Sequence, residues 1–268
     1  MKRTALVGVA CLCVMLGETL ESRAPSAEPR ISNTKRRAPS AERRSDTIMS
    51  AAGLNDILKR MTRLTQQAQS APKPERTTAL FEVGVEADGL ANLMNREVEA
   101  HGMQERQLLD LALSRTKELG ILIQYNKQKK SFFYDGSAFR QYLAEAPRGQ
   151  HAATAEFQLL SYQFYQSTST DPQTLESAAA AKQRFLEKHP SFKGNPEMRL
   201  YLAIDYRDLY HLHRDAHDAA RMERFYQRAR TEFQRIVKLY PGTEQANAAR
   251  QQLQKLDQER QQQRPHMY

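Results

Sequence analysis

EFQRIVKLYPGTEQANAARQQL, residues Glu232 to Leu253, decides the fold. Phe233, Ile236 and Val237 stand at helical spacing before Pro241, and Ala246 and Ala249 recur at helical spacing after it. Proline lacks an N–H and clashes with the preceding turn, so one helix must end at Tyr240 and another must begin beyond Gly242. The apolar residues pack the last turns of the first helix, and the alanines let the second approach closely.

Two upstream stretches follow the same plan: AFRQYLAEAPRGQHAATAEFQLL from Ala138 and AKQRFLEKHPSFKGNPEMRLYLA from Ala181. Each places a bulky residue five before a proline and an aliphatic one four before it. These are Tyr142 and Leu143 before Pro147, Phe185 and Leu186 before Pro190, and Ile236 and Val237 before Pro241. A single helix pair cannot bury its apolar face, so such units stack.

The junctions resemble the tetratricopeptide repeat, in the form found in bacterial envelope proteins of the BamD and CpoB type. There the helix junction reads FxxhhxxYPxSxxAxxA, with h apolar. Phe233, Ile236, Val237, Tyr240, Pro241, Gly242, Ala246 and Ala249 match it, and the likeness extends over about 137–256. It implies an exported, non-catalytic scaffold or adaptor that binds an envelope protein or peptide. The sequence departs from the family in two respects. The intervals from Pro147 to Pro190 and from Pro190 to Pro241 exceed the usual period of about 34 residues. BamD-like proteins also carry a lipidated cysteine, and Cys11 and Cys13 lack the context for one.

Upstream of the repeats the chain also reads as helix. Leu54, Ile57, Leu58, Met61 and Leu64 follow the i, i+3, i+4 rule until Ala71-Pro72-Lys73-Pro74 stops them. Apolar positions then mark helices over about 75–101 and 104–119. Past Gly120 the period changes to two, and the runs Ile121–Tyr125 and Ser131–Tyr134 flank a polar loop, which predicts a β-hairpin at 121–134. Helices are expected over 137–146, 151–167, 173–189, 196–213, 216–240 and 243–262, the last becoming glutamine-rich toward its end, before a tail at 263–268. The fold class is therefore mainly α: an antiparallel helical-repeat stack (137–262) preceded by an N-terminal helical region with a small hairpin (51–136). Low glycine and proline, 11 of each, suit long helices and exclude collagen-like or turn-rich all-β chains.

The first residues read as a signal peptide over 1–24. Lys2 and Arg3 precede an apolar run from Thr4 to Leu16, too short to span a bilayer. Cleavage after Ala24 would remove both cysteines and with them any thiol chemistry. Residues 25–50 repeat RAPSAE and carry Arg30, Lys35, Arg36, Arg37, Arg43 and Arg44, so they are expected to form a disordered basic linker. It either touches an anionic membrane or cell-wall surface or serves as a solvated spacer. The net charge of +9 alone would permit nucleic acid as a partner. Export to the periplasm or envelope removes that expectation.

Chemistry-bearing motifs are absent: there is no phosphate-binding glycine loop, HExxH or GxSxG, and no cofactor is implied. His211, His213 and His217 with Asp205, Asp208, Asp215 and Asp218 offer one alternative, an envelope enzyme or metal-dependent factor. Their other reading is caps and solvated surface at a helix junction. The aromatic set Phe157, Tyr162, Phe164, Tyr165, Tyr201, Tyr206 and Tyr210 has two readings as well, core or binding groove. Arg221, Arg224 and Arg228, opposite Phe225, Ala229 and Phe233 on one helix, form a basic stripe. With Tyr206 and Tyr210 they are the expected partner-binding residues, suited to an acidic or C-terminal-carboxylate peptide because guanidinium binds carboxylate in a two-pronged way.

Overall fold

A computed structural model describes residues 49–102, 106–127, 130–166 and 171–263, all within one compact unit. The expected signal peptide and all but the end of the expected linker lie outside the described residues, as does the tail beyond 263. Among the described residues no helix is long and apolar enough to cross a membrane.

The described residues form nine helices and one hairpin. The N-terminal region comprises α1 (Ala51–Ser70), α2 (Lys73–His101), α3 (Arg106–Glu118), β1 (Ile123–Asn126) and β2 (Ser131–Tyr134). The strands pair antiparallel, with Ile123 opposite Tyr134 and Asn126 opposite Ser131. Six helices follow: α4 (Ser137–Glu145), α5 (Ala152–Gln166), α6 (Pro172–Lys188), α7 (Asn195–Asp215), α8 (Ala219–Leu239) and α9 (Glu244–Gln263).

Met49 and Ser50, expected at the end of the 25–50 linker, are instead part of the folded unit. Ser50 is the N-cap of α1, its Oγ accepting the Gly53 N–H at 3.1 Å. Met49 is only 1% exposed, and its N–H donates to the buried Glu97 carboxylate at 2.8 Å. Met49 is thus in the core against the last turns of α2, and Ser50, itself exposed, caps the start of α1.

The three prolines mark junctions of one geometry. Ala146, His189 and Tyr240, each just before a proline, have φ of −136°, −126° and −129° and ψ of 64°, 62° and 51°. Their N–H groups close the preceding helix on Tyr142, Phe185 and Ile236. Proline disfavours helical backbone in the residue before it, which ends α4, α6 and α8 alike. Five residues after each proline come Ala152, Asn195 and Ala246. Eight after come Ala155, Met198 and Ala249, and all six are buried.

No break in packing separates the N-terminal region from the repeats at 136/137. Phe139 and Tyr142 of α4 and Ala152, Ala155 and Tyr162 of α5 share one core with α1, α2 and the hairpin. Gly84 of α2 makes this possible, since a Cβ there would lie 2.5 Å from the Phe139 ring. Leu160 of α5 belongs instead to a second core built by α6 to α9. Helix α5 therefore contributes to both.

Candidate functional site: a groove between α6 and α8

Helix α7 packs against both α6 and α8. Between these helices a groove of about 430 Å³ runs over α7. Each helix contributes a stripe at helical spacing: Gln183, Leu186 and Glu187 from α6, Arg199, Leu202 and Tyr206 from α7, and Arg228, Thr231 and Arg235 from α8. The apolar residues of each helix are taken up by the core beneath, so the groove surface is largely polar.

The groove's charges are unequally matched. Glu232 accepts from Arg199 at 3.1 Å and from Arg235 at 2.8 Å, so one carboxylate serves two guanidiniums. Arg228 faces the rings instead, 5.6 Å from the centroid of Tyr206 and 5.9 Å from that of Phe225. Among the described residues no carboxylate lies within ion-pair distance of it. The Tyr206 hydroxyl donates to Gln183 Oε1 at 3.2 Å, joining α7 to α6 across the groove floor. Burial pushes that hydroxyl's pKa above its ordinary value, against the pull of Arg228. The site can therefore offer a guanidinium, amides and a hydroxyl to an anionic, hydrogen-bonding ligand.

Of the residues expected to bind a partner, Tyr206 and Arg228 meet in this groove. Arg224 stands outside it, stacked 4.5 Å over Phe225 and 3.5 Å from Glu176 of α6. Arg221 is exposed in the first turn of α8, with its N–H and side chain turned to Asp218. Tyr210 is corrected from groove to core. It has no exposed surface, because one turn beyond Tyr206 the α7 stripe passes beneath α8, where its ring lies 5.8 Å from Tyr226. Tyr162 and Tyr201 are likewise buried, and Phe157 packs on Phe185 and Phe192. The side chains of Phe164 and Tyr165 lie outside the described residues.

The sequence does not single out Gln183, Arg199 or Thr231, whereas Arg235 falls along nearly the same basic stripe as Arg228. Their signal was the i, i+3, i+7 spacing of 199, 202 and 206 and of 228, 231 and 235, visible only once the two helices are known to face each other.

The histidine and aspartate residues of 205–218 disperse. Asp205 turns inward to Lys182 at 2.6 Å. His211 meets Glu259 of α9 at 3.5 Å, whereas His213 is stacked on Phe225, with Glu176 and Asp218 each at 3.8 Å. His217 is in the left-handed turn between α7 and α8, at φ 58°. Among the described residues no three His, Cys, Asp or Glu side chains gather as a metal site would require.

No family model matches the chain, and no curated protein matches it. Among solved structures, the DHF119 filament aligns over 75% of this chain and 95% of its own at 16% identity, with a TM-score of 0.23. A likeness at that score carries no argument about fold or function.

Proposed function

We propose that this chain is a non-catalytic, exported helical-repeat adaptor that holds a carboxylate-bearing segment of an envelope protein in the α6–α7–α8 groove. The observation that carries this reading is Arg228, a guanidinium lining the groove and stacked against Tyr206 without a carboxylate partner among the described residues. Arg199 and Arg235 share a single carboxylate and reinforce the same preference. The tetratricopeptide-like junctions at Pro147, Pro190 and Pro241 support a scaffold role. The charged N-terminal end of the signal-like segment, and the apolar run after it, support export. The basic stretch 25–48 adds weak attraction to anionic lipid or cell-wall polymer in this reading.

The test is affinity capture from envelope extracts with the parent chain and with Arg228→Glu, each at low and at high salt. The expected result is that the parent retains a partner in a salt-sensitive way and the folded variant loses it. Equal capture by both, with unchanged salt sensitivity, would remove the groove as the binding site.

A further inference from the structure

The two edges of the hairpin differ. Asp135 N–H donates to Leu122 O at 3.0 Å. Antiparallel pairing alternates, so Gln124 with Phe133 and Asn126 with Ser131 are the next pairs that exchange hydrogen bonds. The main-chain groups of Phe132 then point away from β1, and Asn95 of α2 takes both. Its Nδ2 donates to Phe132 O at 2.9 Å, and its Oδ1 accepts from Phe132 N–H at 2.6 Å. One amide side chain thus stands in for a neighbouring strand on the β2 side.

On β1 the outward groups are those of Ile123 and Tyr125, and no described group hydrogen-bonds to them. Strand β1 is thus the unpaired edge of the sheet, with its surface mainly at Tyr125: Ile123 is only 6% exposed, its side chain being in the core, and Tyr125 is half-buried. At its far end Lys127 and Lys130 are exposed, with no carboxylate in contact among the described residues. At its near end Leu122 is 39% exposed on the face turned from the core.

We propose that β1 accepts an antiparallel strand from a partner protein, one that is acidic where it meets Lys127 and Lys130 and apolar where it passes Leu122. The outward N–H and C=O of Ile123 and Tyr125 supply four main-chain hydrogen bonds, and the lysines select the charge. A second copy of this chain would bring its own residues 121–130, which include Lys127, Lys129 and Lys130 and no carboxylate, to such a pairing. Charge complementarity therefore selects a foreign acidic strand. The proposal is independent of the groove, because the hairpin packs in the other core.

The experiment uses the full, isotopically labelled chain and a synthetic peptide, Asp-Glu-Asp-Val-Thr-Val-Thr-Ile. At saturating peptide, amide exchange at Ile123 and Tyr125 should slow by about tenfold or more, while Gln124, already in the ladder, changes little. A peptide with lysines in place of its carboxylates should bind at least about tenfold more weakly, since like charges then face each other. Tyr125→Pro deletes one outward N–H at a position where an edge strand tolerates proline, and it should abolish binding. Tyr125→Val keeps the N–H and should retain it. Unchanged exchange at Ile123 and Tyr125 in the parent would overturn the proposal, whether or not the proline variant folds. So would equal binding by a folded Tyr125→Pro. Protection that rises with protein concentration in the absence of peptide would assign the edge to a second copy and overturn the foreign strand.

Discussion

Lys182 and Asp205 form an ion pair of 2.6 Å, with side chains only 1% and 4% exposed, at positions where the other two repeats carry uncharged aromatic or aliphatic side chains. Lys182 stands eight residues before Pro190. Phe139 and Phe233 hold that place before Pro147 and Pro241. Asp205 stands fifteen after its proline, where the other units have Tyr162 and Leu256. All six side chains are buried.

Breaking this pair should cost more than replacing it. Asp205→Ala removes the carboxylate that balances a buried ammonium, and we expect a loss of about 3–5 kcal/mol in denaturant unfolding. Lys182→Phe with Asp205→Leu copies the third repeat and should be neutral or stabilising, by up to about 4 kcal/mol. A double variant weaker than Asp205→Ala would show that the pair is not exchangeable for a hydrocarbon contact.

The same pair shapes the pH response. Burial outweighs the attraction of Lys182 and pushes the Asp205 carboxyl up to about 6. A carboxyl raised in the folded state binds its proton more tightly than in the unfolded chain. Its contribution to stability therefore grows as pH falls from 7.5 through 6 and levels off near the unfolded value of about 4. Asp88 and Glu197, also raised by burial, act in the same sense. His211, which burial pushes down, acts against them. Comparing variants isolates the Asp205 part: the thermal midpoint of the Lys182→Phe, Asp205→Leu chain should gain less than the parent between pH 7.5 and 5. Parallel pH curves would contradict this assignment.

Truncation should distinguish residue 49 from residue 51 as a starting point. A chain beginning at Met49 retains the Met49 core contact and the Ser50 cap, and a chain beginning at Ala51 loses both. The cap is worth about 1 kcal/mol, and a buried methionine about 2–5 kcal/mol. The shorter chain should therefore melt several degrees lower. Equal midpoints would place both residues outside the cooperative unit.

Asn95→Leu should loosen the hairpin without disturbing the repeats. It leaves the Phe132 N–H and C=O unpaired beside α2, at about 1–3 kcal/mol for each buried group. Amide exchange at Phe132–Tyr134 should quicken, and exchange in α7 and α8 should hold. A uniform change along the chain would indicate instead that the hairpin and the repeats open together.

The helices and their ends were legible because proline and glycine punctuate the sequence and the apolar period is regular between them. Ala71-Pro72-Lys73-Pro74 and the three repeat prolines all fall where helices change. The Lys182–Asp205 pair was legible only as an equal offset from three prolines, since lysine between Ala181 and Gln183 otherwise reads as surface. Tyr206 and Tyr210 carry the same residue type one turn apart, and only the crossing of α8 over α7 separates groove from core. Arg228 and Arg199 are remote in sequence, and periodicity within either helix cannot reveal that they line one groove.

The shared backbone of Ala146, His189 and Tyr240 bears on how the chain finds its fold. Each junction is set by a proline and a bond to a residue four earlier, so it needs no distant contact to form. From α6 to α9 the principal packing is between helices consecutive in the chain. Contacts this close in sequence incur little loop-closure entropy, and folding can start in one unit and spread to its neighbours. The repeats therefore have no obligatory first end, and a growing chain can assemble each helix pair as it emerges.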